Sequence, residues 1–279
     1  MSISYKGIHI IAVLIALCVC IAFVSCGKDE THFSEYISDK DVKVLEIILN
    51  RYESSDVRWY VGYSDNTGEM SEEIEVAPFD KRDYKAFSSL KGLESLYITF
   101  GDDVTEETAN TLLQNIPDAQ YIGFAGGLNV DFTYLKDHKW FNDVAFTNHC
   151  DLKTLPVLDA RMIAFSGCSN IPWQTISEMK NVETIRYSGK ETLDAEAFSL
   201  MSQMYSLEVL VYNAVPYDNW NWGEDGSEYT QPPYKITSMD DIEEWVYKTI
   251  DKETIREFLG NGDRTLVLMP YAETNPGVG

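Results

Sequence analysis

Six short apolar frames recur along the middle of the chain, and their spacing restricts it to folds in which one small unit is laid beside the next. The first frame reads Leu90-Lys-Gly-Leu93-Glu-Ser-Leu96-Tyr-Ile98, an LxxLxxLxL pattern. Matching frames carry Ile116, Ala119, Ile122 and Phe124, then Met179, Val182, Ile185 and Tyr187, then Met204, Leu207, Leu210 and Tyr212. Two abbreviated copies lie between them, one with Phe141, Val144 and Phe146, the other with Ala160, Ile163 and Phe165. The inner residues Leu96, Ile122, Val144, Ile163, Ile185 and Leu210 follow one another at intervals of 26, 22, 19, 22 and 25. Self-similarity at such a period marks units that cannot bury an apolar face alone and do so by stacking.

Two columns of this alignment carry further information. The last position of each frame holds Ile98, Phe124, Phe146, Phe165, Tyr187 and Tyr212, five of them aromatic; the next holds Thr99, Ala125, Thr147, Ser166, Ser188 and Asn213, all small or polar. Neighbouring side chains on a strand face opposite ways. The aromatic column is therefore expected to stack inside and the small column to line a concave sheet. On that sheet the central row is Tyr97, Gly123, Ala145, Ala164, Arg186 and Val211, which predicts a shallow groove flanked by Tyr97, Tyr121 and Arg186. Over residues 90–213 the frames resemble the leucine-rich-repeat family, and Cys168, three after Phe165, stands where that motif commonly has Asn or Cys. The chain departs from the family in mostly lacking the motif's Asn and in replacing leucines by Met, Val or Ile. The resemblance implies an α/β fold, a leucine-rich-repeat solenoid with short parallel strands, and helical caps at both ends.

Helix signals fall between the frames. Asp103 with Glu106 predicts a helix ending near Asn115, and Thr192 to Tyr205 predicts a second with acids in its first turn. Asp39 to Asn50 carries Val42, Leu45 and Leu49 at helical spacing, suited to an N-terminal cap, and an aromatic strand is expected near Trp59 to Tyr63. At the far end Ser238 with Asp241 opens a helix bearing Ile242, Trp245 and Val246; Asp251 opens another that stops at Gly260, and Thr265 to Met269 adds a last strand. The expected organisation is a leader over 1–25, a tether over 26–36, an N-terminal cap region over 37–89, a repeat region over 90–215, an aromatic loop over 216–237 and a C-terminal cap over 238–279.

The leader has a chemistry of its own. Lys6 gives a small positive n-region, and Ile10 to Val24 is apolar and uncharged but short for a bilayer span, which needs roughly 20 residues. The run ends in Phe23-Val24-Ser25-Cys26, which resembles the lipobox of bacterial lipoproteins. That resemblance implies cleavage after Ser25 and a diacylglyceryl thioether on Cys26. Several acyl chains anchor a protein stably, so the expected home is extracytoplasmic, on a cell membrane or outer membrane.

Without residues 1–25, which hold Lys6 and no acid, 21 of the 22 basic side chains remain against 45 acidic ones, a formal charge of −24. A field of that sign repels phosphate backbones and anionic headgroups, which argues against nucleic-acid partners. Cys150 and Cys168 would be the remaining thiols; they match no zinc spacing, and export would permit them to pair. His32, His138 and His149 form no triad or metal motif, and adjacent residues such as His149 and Cys150 point apart on a strand. Carboxylate pairs such as Asp102-Asp103 and Glu72-Glu73 are what so acidic a chain generates by chance. The glycines at 123, 126 and 127 match no nucleotide fingerprint. No cofactor, metal or catalytic residue is expected.

The segment Tyr217 to Tyr234 is polar and glycine-containing yet holds Trp220, Trp222 and Tyr229, which suits either a capping loop or a stacking surface for sugars or peptides. Asp218, Asn221, Glu224, Asp225 and Glu228 offer oxygens for calcium, but Trp220 interrupts the EF-hand spacing. The expected function is non-catalytic: a lipid-anchored recognition module for a protein or glycan, using Tyr97, Tyr121, Arg186, Trp220, Trp222 and Tyr229. The alternatives are a surface glycan hydrolase with carboxylates near the aromatic loop, and a structural component of an envelope complex.

Overall fold

Runs rich in β-branched and aromatic residues become strands wherever a neighbour is there to pair with them. In the computed structural model the strands are β1 (Val44–Leu49), β2 (Trp59–Ser64), β3 (Ile74–Val76), β4 (Leu93–Phe100), β5 (Ala119–Gly126), β6 (Phe141–Thr147), β7 (Ala160–Ser166), β8 (Thr184–Ser188), β9 (Val209–Pro216), β10 (Tyr234–Ile236) and β11 (Thr265–Tyr271). They form one open sheet in the order β10-β11-β9-β8-β7-β6-β5-β4-β1-β2-β3. The structure describes residues 31–38, 40–49, 58–65, 69–128, 130–138, 141–189, 192–216, 233–260 and 262–271. Residues 1–30, where a leader and a lipidated Cys26 are expected, and the loop residues Trp220, Trp222 and Tyr229 with the calcium alternative, lie outside these. Among the described residues no helix is long and apolar enough to cross a membrane.

The architecture is α/β, with a mostly parallel sheet. From β4 to β9 each strand pairs in parallel with the next in sequence, and the register aligns Leu96, Ile122, Val144, Ile163, Ile185 and Leu210 as direct neighbours. The periodic residues of the sequence are thus one row across the sheet. Among the described residues, antiparallel strands occur only at its two margins, where β1 pairs with β2, β2 with β3, and β10 with β11.

The helices are α1 (Phe33–Tyr36), α2 (Lys81–Ser88), α3 (Glu106–Gln114), α4 (Trp173–Ser177), α5 (Ala195–Ser202) and α6 (Lys252–Leu259), and a 3₁₀ turn spans Phe132–Asp137. Leu112 and Leu113 of α3, Phe132 and Leu135 of the turn, Ile176 of α4, Phe198 of α5 and Phe258 of α6 all enter one core with the sheet. Thr105, not Asp103, caps α3. Asp194 caps α5, which is shorter than the Thr192 to Tyr205 span. Asp251 and Gly260 bound α6 as expected.

The N-terminal end corrects the expectation of a helical cap. Residues Val44–Leu49 are strand β1, which pairs in parallel with β4 and extends the ladder by one row. Val42, Leu45 and Leu49 fit a helical period, but Leu45, Ile47 and Leu49 fit a period of two equally well, and those are the fully buried residues. A waiting strand edge decides between them. Helix α2, capped reciprocally by Asp80 and Asp83, supplies the helical part of this end. At the other end Ser238 and Asp241 do form a capping box, yet the chain continues as two 3₁₀ turns, Met239–Asp241 and Glu244–Lys248.

Inside, aromatic rings lie along the sheet. Phe100, Phe124, Phe146 and Phe165 stack in sequence, with centroids 6.5, 5.4 and 6.1 Å apart and planes within 20° of parallel. Trp173 of α4 carries the contact from Phe165 to Tyr187, and Tyr187 stacks on Tyr212. Offset stacking adds about 0.5–1.5 kcal/mol per pair to the area buried. At the C-terminal end of β5 the chain must turn under β4: Gly126 has φ +73°, and a Cβ there would stand 2.1 Å from the Phe100 carbonyl oxygen.

Candidate ligand-binding face

Because the helices' apolar side chains all enter the core on one side, strands β4 to β9 leave their other face open. Its central row is Tyr97, Gly123, Ala145, Ala164, Arg186 and Val211, paired in register from strand to strand. Ala145 is shielded by its neighbours yet stands outside the core cluster. A row that shrinks to Gly-Ala-Ala in the middle and rises to Tyr and Arg at its sides is a trough in the sheet surface.

Tyr97 and Tyr121 form one wall. Their ring centroids are 5.2 Å apart with planes at 44°. Gly123 explains the closeness, since a Cβ there would lie 3.1 Å from carbons of both rings. Tyr97 is 40% exposed, enough to offer surface to a ligand. Burial, reinforced by Tyr97 and by the negative charge of Asp143, pushes the Tyr121 hydroxyl above its ordinary range, while the Arg186 charge acts the other way. Arg186 therefore shares an electrostatic neighbourhood with Tyr121, and the three residues the sequence grouped do line one face. Asp143, the register partner of Tyr121, is held by Arg161 at 3.8 Å.

Beyond Tyr97 the trough opens into a cleft of about 570 Å³ over β1 and β2. Glu46, Asp65 and Glu94 give it a negative rim, Lys43 one positive charge, and Met70 and Tyr97 its apolar walls. Met70 is 48% exposed and comes within 3.5 Å of a Cβ placed on Gly62. The cleft is not legible in the sequence, because Val42, Leu45 and Leu49 also fit a helical period and it is the β1–β2 pairing that brings Glu46 opposite Gly62.

Other polar residues have structural roles. Asp83 is fully buried, and its carboxylate accepts hydrogen bonds from the Ser34 N–H (2.9 Å), the Ser34 hydroxyl (2.7 Å) and the Asp80 N–H (3.1 Å), with His32 Nδ1 at 3.1 Å. His32, Asp80 and Asp83 bring three potential metal-ligand atoms within 4.8 Å of one another. However, both carboxylates already cap α2, whose N-terminal dipole favours anions over cations. The spacing Asp80-x-x-Asp83 signals the cap; nothing local signals Ser34. His149 is exposed in a left-handed turn, whereas the Cys150 thiol is buried against the Thr147 and Phe124 carbonyls, so no thiolate–imidazole pair forms. His138 packs on Phe141 with Nε2 at 3.3 Å from the Leu113 carbonyl. Asp102 and Asp103 lie exposed in the turn between β4 and α3. No family model, no curated protein and no solved structure matches the chain.

Proposed function

We propose that the chain is a lipid-tethered, non-catalytic recognition module that takes an extended protein or glycan across the open face of its sheet, outside the cytoplasm. The observation that carries the reading is the trough itself: a Gly-Ala-Ala floor with the Tyr97–Tyr121 pair on one side and Arg186 on the other. A shallow trough with aromatic walls suits stacking on sugars or on an extended backbone, and the arginine adds a directional donor for carboxylate or carbonyl groups.

The finer fold assignment belongs to the same proposal. A leucine-rich-repeat solenoid is supported by three features: strands that pair in sequence order, apolar frames that coincide in register, and helices or turns that follow most of the strands on one side. The lipid anchor rests on the leader and on Cys26. Replacing Cys26 with Ser should release the protein from the membrane fraction and abolish incorporation of an alkyne-labelled fatty acid; retention of both would remove the anchor from the proposal.

Site-specific photocrosslinking tests the binding face. A crosslinking residue at Ala145, in the floor, should capture one partner in stoichiometric yield in intact producing cells, and one at the fully exposed Tyr205 should not. Equal yields at both positions, or none at Ala145, would refute the assignment. Capture of a fixed envelope subunit at Tyr205 alone would favour the structural-component alternative.

A further inference from the structure

The two cysteines among the described residues occupy equivalent places in successive units. Cys150 follows β6 through a left-handed turn at Asn148 and His149 (φ 49° and 71°), and Cys168 follows β7 through Gly167 (φ 63°). Beyond these turns the two chain segments pair once more in parallel: Asp151 bridges Ser169, the Ser169 N–H donates to the Cys150 carbonyl at 2.9 Å, and the Leu152 N–H donates to the Ser169 carbonyl at 3.0 Å. That register sets Cys150 directly opposite Cys168. Facing residues in neighbouring strands are about 5 Å apart, within the Cα separation of roughly 4.4–6.8 Å that a disulfide spans without backbone movement.

The side chains meet as the backbone requires. The two thiols lie near enough for each to shift the acidity of the other. They also reach the same layer of strand-end carbonyls: Cys150 Sγ donates to the Thr147 oxygen at 3.1 Å, and Cys168 Sγ to the Phe146 oxygen at 3.1 Å. Access differs between them, since Cys150 is fully buried and Cys168 is partly exposed. The neighbouring Cys150 lowers the Cys168 thiol below its ordinary range, whereas Cys168 together with burial raises Cys150. One sulfur is thus reachable from solvent, and the other lies behind it.

We propose that Cys150 and Cys168 are a thiol–disulfide exchange site, in which Cys168 reacts first with a low-molecular-weight disulfide and Cys150 then closes an intrachain bond that clamps the turns after β6 and β7. The Cys168 thiolate attacks one sulfur of the oxidant RSSR, forming Cys168–S–S–R and expelling RS⁻, which takes up the proton that Cys168 lost. Cys150 then gives up its proton and attacks Cys168 Sγ, forming the Cys150–Cys168 bond and expelling the second RS⁻, which is protonated in turn. Two protein thiols are oxidised and RSSR is reduced to two RSH. The proposal is independent of the ligand-binding reading and of the lipid anchor.

Incubation of the purified protein with oxidised glutathione, followed by alkylation and peptide mapping without reductant, tests it. The expected product joins the peptides of Cys150 and Cys168 with the loss of two hydrogens, with no glutathione retained. Cys150→Ser should stop at a stable glutathione adduct on Cys168, and Cys168→Ser should leave Cys150 unreacted until denaturant is added. A wild-type protein that keeps both thiols, or that accumulates the Cys168 adduct without closure, would overturn the site. The wild-type map decides the matter even if a serine variant fails to fold.

Discussion

On β6, Ala145 and Phe146 are consecutive residues on opposite faces of one sheet. Phe146 is sealed among Phe124, Phe132 and Phe165, with centroids at 5.4, 5.2 and 6.1 Å. Ala145 lies between Gly123 and Ala164 in the floor of the trough. The contrast holds along the row: Phe165 beside Ala164, Tyr187 beside Arg186, Phe124 beside Gly123. The covered face carries volume because nothing else fills the space between sheet and helices. The open face has given volume up in its middle, which stability alone does not require of a solvent-facing strand, where β-branched and aromatic residues pack better. Burial accounts for the first face; under the proposed function, the second leaves room for a ligand.

The largest expected effect lies on the covered face. Phe146→Ala removes a ring that touches two strands and the 3₁₀ turn at Phe132, and it should lower unfolding stability by about 3–5 kcal/mol in a denaturant titration. A loss below about 1 kcal/mol would mean the rings are not close-packed, and the contrast between the faces would fail.

A second, smaller loss is expected where the covered layer is closed at its C-terminal end. Arg264 donates to the carbonyls of Ser202 (2.7 Å), Met204 (3.0 Å), Phe258 (3.1 Å) and Leu207 (3.2 Å), tying the ends of α5 and α6 to the start of β9. Arg264→Ala leaves partly buried acceptors without donors and should cost about 1–3 kcal/mol. Arg264→Lys should recover only part of it, because one ammonium cannot reach four oxygens fixed around a planar fork.

Smaller again is the pH response of the opposite end. The hydrogen bond to Asp83 raises the His32 pKa above its ordinary 6.5, so its stabilisation is complete below that value and is lost as pH rises through the folded-state pKa. Burial pulls Asp83 upward, but bonds from Ser34 and His32 outweigh it and leave the carboxyl below its ordinary 3.8. Its stabilisation is present above 3.8 and lost as pH falls through the lowered value. The melting temperature should therefore decline from pH 6 to pH 8 in the wild type, and the decline should flatten in His32→Gln. Equal slopes in the two proteins would show that His32 and Asp83 do not seal this end.

What could be read in the sequence follows the same division. The rows Leu96 to Leu210 and Phe124 to Tyr212 were legible because parallel strands in register repeat one burial pattern at each pass, and the Tyr97–Tyr121 wall follows from that alignment. Strand β1 was not legible, since Leu45 and Leu49 satisfy two periods at once. The seals at the two ends were not either: Asp83 meets Ser34 across 49 residues, and Arg264 meets Ser202 across 62. A hydrogen bond made across such separations leaves no local periodicity. The acidic cleft beside Tyr97 was hidden with β1.

The smallest change in stability is expected on the open face, and it is the most telling about function. Gly123→Ala adds one methyl group where carbons of both tyrosine rings stand at 3.1 Å, so the rings must spread by a few tenths of an ångström while their chemistry is untouched. Alanine is also the better strand residue, and the gain in backbone preference offsets the crowding; the net effect should stay within about 0.5 kcal/mol. Tyr97→Ala, which removes an exposed ring, should be similarly mild in stability. If the tyrosine pair is a platform, both variants should lower the crosslinking yield from Ala145, with Tyr97→Ala the more severe because it removes the surface rather than tilting it. If instead the pair merely packs over Gly123, the yield will hold while stability falls, and the two faces will differ in degree of burial but not in purpose.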